Sequence, residues 1–364
     1  MRKFNYFRSL FLAVTLITSS LAFTSCDNDN DGPSGAYAED GVFMVNEGSF
    51  GTPNGSISYY NNRSQQVQNT IFQNENDRLL GDVIQNMVIH GDRAFIVANN
   101  SNKIEVVNAN TFNSLGTIEG LEMPRYFAAL NEDKGYVTEI VSYNGSPGRV
   151  SVIDLNTFTV SKTIEVGVQP QQLVIAGGKV YVANSGGNTI TVINSSTDAV
   201  ESTITVTEGP NSLVIDRNNA LWVASSGVKV GWPVSEEESS PGALSKINLA
   251  SNTVTSTLTF NQNAPSPSKL TTNGNRDKLY YVFNRKVYQQ DVNATTLNTM
   301  PLIDRGTYIE YGFYGLGVDP ETGYIYEGKV NDFTSSSWVI RYSPTGAPVD
   351  SFRVGIAPNG FVFK

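Results

Sequence analysis

The stretch that decides the fold begins Pro170-Gln171-Gln172-Leu173-Val174-Ile175-Ala176-Gly177-Gly178-Lys179-Val180-Tyr181-Val182-Ala183-Asn184. It runs on through Ser185-Gly186-Gly187-Asn188, the alternating segment Thr189 to Asn194, a turn at Ser195 to Asp198, and Val200 to Thr207. Four runs rich in Val, Ile, Thr and Tyr are separated by Gly, Asn, Ser and Asp, residues that supply turns. This reads as a meander of four antiparallel strands. At Pro210 the pattern restarts with Asn211-Ser212-Leu213-Val214-Ile215, so the chain is built from repeats.

Repeats of about 40–45 residues with four strands each are the blades of a β-propeller. The start signal occurs seven times, at Ile84, Pro124, Pro170, Pro210, Pro267, Phe313 and Pro358, with spacings from 40 to 57 residues. The longest spacing contains an insertion, Gly231 to Gly242, expected between the second and third strands of blade five. The last start stops at Lys364 after a single strand, whereas Gly41 to Asn46 matches the second strand of a blade. The two ends complete each other. The expected fold is therefore all-β: a seven-bladed β-propeller of four-stranded antiparallel blades over residues 41–364. The C-terminal strand pairs into the first blade, so that no sheet edge is left open. Blade one should continue through Ser56 to Tyr60 and Val67 to Phe72. The run Tyr181 to Asn194 resembles the YVTN family of seven-bladed propellers, and the resemblance spans nearly the whole mature chain.

The N-terminus needs a separate reading. Arg2, Lys3 and Arg8 precede an apolar stretch, Leu10 to Phe23, and the small residues Thr24-Ser25 before Cys26, which is the pattern of a secretory signal over residues 1–25. Cys26 is the only cysteine, so no intramolecular disulfide can form. Its position resembles a bacterial lipobox, with Phe23 where Leu is usual, and implies lipidation at Cys26; the plainer alternative is an ordinary signal peptide with an incidental cysteine. Residues 26–40 read as a lipidated acidic tether. Asp27-Asn28-Asp29-Asn30-Asp31-Gly32 imitates the start of an EF-hand loop, but that loop needs a bidentate Glu at its twelfth position, which is Ala38 here. No metal site is expected. Loss of residues 1–25 removes three basic residues and no acidic one, taking the net charge from −9 to −12. Such a surface repels phosphate backbones, so nucleic acid is excluded as a partner. A membrane is needed only for the lipid anchor.

Function in a propeller is expected on the loops of one face, held by a rigid scaffold. Aligned repeats place two polar rings there. The first ends the second strands: Asn46, Asn99, Glu139, Asn184, Ser225, Asn284 and Glu327. Turn chemistry alone explains residues such as Asn99 and Asn184. The second ring opens the innermost strands, with Asn86, Arg125, Tyr126, Gln171, Gln172, Asn211, Lys269, Tyr314 and Asn359, and turn chemistry does not ask for these types. With Phe50, Tyr143, Trp232, Arg285 and Lys329 from neighbouring loops, they are the candidate ligand-binding residues. Aromatic faces give rigid apolar area, and amides and cations give directional hydrogen bonds, which suits a large amide-bearing or polyhydroxylated ligand.

Catalysis is disfavoured by the residue inventory. The one histidine, His90, is expected in a turn on the opposite face, and without a usable histidine or cysteine the Ser-His, Cys-His and His-metal arrangements are unavailable. A carboxylate mechanism through Glu139 and Glu327 is the remaining enzymatic alternative, as in a propeller lactonase or esterase. A glycan- or protein-binding adaptor is the other, with Glu236 to Glu238 as a possible contact.

The lipobox-like Cys26, the acidic tether, the YVTN-type repeats and the run Tyr314-Gly315-Leu316-Gly317-Val318-Asp319-Pro320-Glu321-Thr322-Gly323 together resemble the DUF5074 surface lipoproteins, of which the BtuG-like proteins bind vitamin B12. The resemblance implies cobalamin as the ligand and no other cofactor. It also implies a TonB-dependent outer-membrane transporter as partner, and a lipid-anchored position at the outer membrane facing the exterior.

Overall fold

The computed structural model describes residues 34–364 except 233, 264 and 307–310. Cys26 and the signal segment, the acidic run Asp27 to Gly32, Pro233 and Tyr308 lie outside the described residues. Gly35–Lys364 form one compact unit.

Local chemistry sets the blade. In blade four the strands are Pro170–Ala176, Lys179–Asn184, Thr189–Asn194 and Ala199–Thr205. The turn between the last two is closed by the Asn194 side chain, whose Oδ1 accepts the N–H of Ser196 at 2.9 Å and of Thr197 at 3.3 Å, while Asp198 takes a positive φ of 50°. Asn108, Asp154 and Asn248 close the corresponding turns of blades two, three and five in the same way. A short polar side chain that bonds the backbone two and three residues on stabilises such a turn without a long loop.

There are seven antiparallel sheets in a ring. Blade one is completed by the C-terminus: Pro358–Phe363 lies beside Gly41–Asn46, with Phe363 opposite Val42 and Phe361 opposite Met44. Gly315 and Gly328 of blade seven sit against this seam, where a Cβ would overlap the Pro358 carbonyl oxygen. Blade six is the irregular member. Its strands Ser268–Thr272, Lys278–Phe283 and Lys286–Asp291 are paired, but among the described residues its outermost position is reduced to a single bridge between Val287 and Ile303.

Alternation sends one face of each strand into the space between neighbouring blades, so the described core divides into seven clusters, one per interface. Between blades four and five, for example, Tyr181, Ile190, Val192, Leu213 and Val223 are buried together. Each fully buried side chain of this size contributes about 1.5–3 kcal/mol.

Two expectations need correction. Blade one's outer strand covers only Gln66–Gln68, and Ile71 and Phe72 begin a helical turn, Ile71–Asn76. Both side chains are fully buried in the cluster between blades one and two. Consecutive residues of a strand point to opposite faces, so a strand could not have placed both in the same inter-blade cluster. His90 is the last residue of the strand Ile84–His90, paired with Arg93, rather than a turn residue.

Candidate functional site

The innermost strands all begin at one end of the central channel, and there the structure has a cavity of about 540 Å³. Asn86, Tyr126, Gln171, Gln172, Asn211, Lys269 and Asn359 line it, as the alignment of repeats expects. Gln85, Ser212 and Phe361 line it too.

Many of these polar groups are already engaged. Asn86 Oδ1 accepts the Phe127 N–H at 3.2 Å, Gln172 Oε1 accepts the Leu213 N–H at 2.7 Å, and Ser212 Oγ accepts the Leu270 N–H at 3.2 Å. In each case a side chain from one inner strand satisfies the backbone of the next. Asn211 Nδ2 likewise reaches the Pro267 carbonyl at 3.2 Å, and Arg125 Nε donates to Gln171 Oε1 at 3.1 Å. A channel lined by inner strands exposes backbone groups that no neighbouring strand can pair, so side chains staple blade to blade.

The densest cluster lies at the seam of the ring. Tyr314 donates its hydroxyl proton to Glu47 Oε2 at 2.5 Å, and Asn359 Nδ2 donates to Glu47 Oε1 at 2.7 Å and to the carbonyls of Ile84 and Gln85 at 3.1 and 3.3 Å. Lys269 Nζ donates to the Asn359 carbonyl at 3.3 Å and stands 5.4 Å from the centre of the Tyr314 ring. Burial, and then the Glu47 charge, raise the pKa of Tyr314 above the ordinary phenol value. Burial lowers that of Lys269, and raises that of Tyr126, whose hydroxyl lies 3.5 Å from Gln85 Nε2. Asn359 Oδ1 is buried and has no hydrogen-bond partner among the described residues. Lys269 holds a positive φ of 55°. Glu47 was not foreseen as a site residue. Its signal is faint: a carboxylate just before Gly48, whose φ of 87° turns the loop inward.

The loop residues do not join this cavity. Phe50, Tyr143 and Trp232 are 82%, 64% and 93% exposed at the tips of the loops that follow the second strands. Arg285 lines a separate groove with Pro265, Ser266, Val282, Asn284 and Gly312; Arg125 and Tyr314 are outside the cavity lining as well, and so is Lys329, which lies within the strand Ile325–Val330 rather than in a loop. Loop length explains the first three, since a long connection carries its apex away from the channel.

The first polar ring also differs from its expected place. Asn46, Glu139, Asn184, Ser225 and Glu327 are fully buried, Asn99 is nearly so, and Asn284 is exposed. The buried members turn toward their own blades: Asn184 Nδ2 donates to Thr189 and Thr191, and Asn46 Nδ2 to Ser58. Glu139 accepts from Arg149 at 2.8 Å and from Ser151, and Glu327 from Arg305 at 2.9 Å and Tyr342 at 2.5 Å. These two carboxylates are fully occupied by partners within the chain.

Comparison with solved structures places this architecture among propellers. The hydrazine synthase of Kuenenia stuttgartiensis is 19% identical with a TM-score of 0.61, covering 74% of this chain and 86% of that one. A quinoprotein alcohol dehydrogenase-like protein of Bacteroides thetaiotaomicron is 14% identical with a TM-score of 0.66, covering 89% and 78%. The periplasmic gluconolactonase of Pseudomonas aeruginosa is 11% identical with a TM-score of 0.63, covering 88% and 99%. At such identities the likeness is one of fold alone. No curated protein matches the chain in sequence. Residues 40–364 match the domain of unknown function DUF5074, and the chain belongs to that family.

Proposed function

We propose that the protein is a non-catalytic capture lipoprotein that binds vitamin B12 at the mouth of its central channel. In this reading acylated Cys26 anchors it at the outer membrane, facing the cell exterior, and it passes the ligand to a TonB-dependent transporter. The supporting observation is the cavity of about 540 Å³, whose wall combines Tyr126 and Phe361 with amides, the half-buried Lys269 and Asn359 Oδ1, which has no hydrogen-bond partner among the described residues. Its size lies within the range of about 300–1,000 Å³ usual for small-molecule sites. A corrinoid is a flat, largely apolar macrocycle fringed with amides and carrying a phosphate. Asn359 Oδ1 can accept from such an amide, Lys269 can donate to a carbonyl or the phosphate, and Tyr126 offers a ring face. A complete corrinoid exceeds the cavity, so the macrocycle would rest across its mouth.

Titration calorimetry with cyanocobalamin at neutral pH tests the reading, and an absence of heat at micromolar protein removes the vitamin from it. Tyr126→Ala is expected to weaken binding by about 2 kcal/mol, as truncation of an anchoring aromatic does. Trp232→Ala, far from the cavity, is expected to leave affinity unchanged; the reverse pattern would move the site to the loop tips. Palmitate labelling should disappear in Cys26→Ala.

A further inference from the structure

Among the described residues blade six has no fourth strand, and the gap leaves a second site. After Lys286–Asp291 the segment Asn293 to Pro301 lacks apolar alternation, and Pro301 has no N–H for a ladder. Side chains hold this segment in place of a ladder: Gln290 Oε1 accepts the Asn298 N–H at 2.7 Å, Gln290 Nε2 donates to the Thr296 carbonyl at 2.8 Å, and Asn298 Nδ2 donates to the Gln289 carbonyl at 3.0 Å. Between it and the end of blade five's last strand, Thr253–Thr259, lies a groove of about 430 Å³.

The floor of this groove is aromatic. Phe260 and Phe283 stack with ring centres 4.2 Å apart and 24° between planes, and Tyr288 meets Phe283 edge-on at 6.3 Å. Its rim carries Asn261, Gln262, Asn284 and Thr299, all exposed. None of these four side chains is hydrogen-bonded to another among the described residues. The rim cation, Lys286, is neutralised by Asp304 at 2.7 Å. The groove thus has an apolar floor, a rim of uncommitted amides and a hydroxyl, and no net charge.

We propose that this groove is a carbohydrate subsite that takes one neutral pyranose ring. A pyranose has an apolar face of C–H groups, which an aromatic floor buries, and an edge of hydroxyls that each donate and accept. Amide side chains also donate and accept, so a rim of Asn and Gln matches that edge from several directions. A hydrophobic peptide side chain would cover the floor but leave the rim amides desolvated and unmatched, which costs free energy. The site is separate from the channel cavity and does not depend on what binds there.

The test is saturation-transfer NMR on the folded protein with the methyl α- and β-pyranosides of glucose, galactose and mannose, each at about 10 mM, where a ligand of about 1 mM affinity is nearly saturating. Transfer to the ring protons of at least one glycoside is expected. The double variant Gln262→Ala/Asn284→Gly should weaken affinity about tenfold, the equivalent of one or two lost hydrogen bonds, so that transfer at the same glycoside concentration falls to about half. Glycine is chosen because Asn284 sits at a φ of 48°, which glycine adopts without strain. Tyr126→Ala, in the channel, should leave the transfer unchanged. Absence of transfer from all six glycosides, transfer undiminished in the double variant, or transfer abolished by Tyr126→Ala overturns the proposal.

Discussion

The channel cavity and the blade-six groove are both lined by amides, yet the amides do different work. In the channel, Asn86 and Gln172 accept backbone N–H groups of the next blade, and Asn359 Nδ2 joins Glu47 to the backbone of blade two. In the groove, Asn261, Gln262 and Asn284 have no such duties. A polar side chain in a pocket can recognise a ligand only with hydrogen-bonding capacity that the fold has not used. By that criterion the channel offers chiefly Lys269, Tyr126 and the Asn359 oxygen, while the groove offers nearly its whole rim.

The contrast is easiest to break at the seam. Deleting residues 358–364 removes the inner strand of blade one, its pairing with Gly41–Asn46, and Asn359, Phe361 and Phe363 from the seam. Lost burial and unpaired backbone together rival the total stability of an ordinary domain, about 5–15 kcal/mol. The truncated chain should show no cooperative thermal transition by circular dichroism; a transition near the full-length midpoint would mean that the ring does not depend on its closing strand.

Single amides sharpen the comparison further. Gln172→Ala leaves the Leu213 N–H without its 2.7 Å acceptor and should cost about 1–3 kcal/mol in denaturant unfolding. A loss below the error of the measurement would mean that water replaces the side chain and that the staple is incidental.

Lys269 gives a smaller effect with a defined pH dependence. Burial lowers its folded pKa beneath the unfolded value, so the folded state disfavours the charged form. The resulting penalty is fully present below the folded pKa and fades as pH rises toward the unfolded value of about 10.4. Lys269→Met should therefore be at least as stable as the parent at neutral pH, with an advantage that shrinks as pH rises into the alkaline range. An advantage that grew with pH would reverse the assigned cause. If the variant also loses cyanocobalamin affinity, the lysine is retained for binding at the expense of stability.

The repeat was legible because its determinants are local. Alternation in Thr189 to Asn194 and the Asn194 turn act within one hairpin, so a sequence reading finds them, and their recurrence fixes the blade starts and the closure at Pro358. Which side chains are free is not local. Gln172 and Asn284 are both amides at strand ends, and only the next blade's Leu213 distinguishes them. The inward turn of Asn46 and Glu139 follows from strand alternation, and it could have been read by continuing the period of the second strand to its last residue. Glu47 depends on a backbone turn at Gly48, and Trp232 on the reach of a long insertion, and neither leaves a periodic signature.

The groove supplies the smallest and most discriminating effect. Gln262 and Asn284 are exposed, form no hydrogen bond among the described residues and lie outside the buried clusters, so Gln262→Ala and Asn284→Gly should each change stability by no more than about 0.5 kcal/mol. At Asn284 two small terms oppose each other: glycine relieves the positive φ of 48°, and it also adds freedom to the unfolded chain. Denaturant midpoints equal to that of the parent, set beside the loss in Gln172→Ala, would separate amides that hold the ring from amides left over for a ligand. A loss of 1 kcal/mol or more in Gln262→Ala, in units of about the size of one net hydrogen bond, would instead make the groove rim part of the scaffold. Its amides would then be no freer than those of the channel.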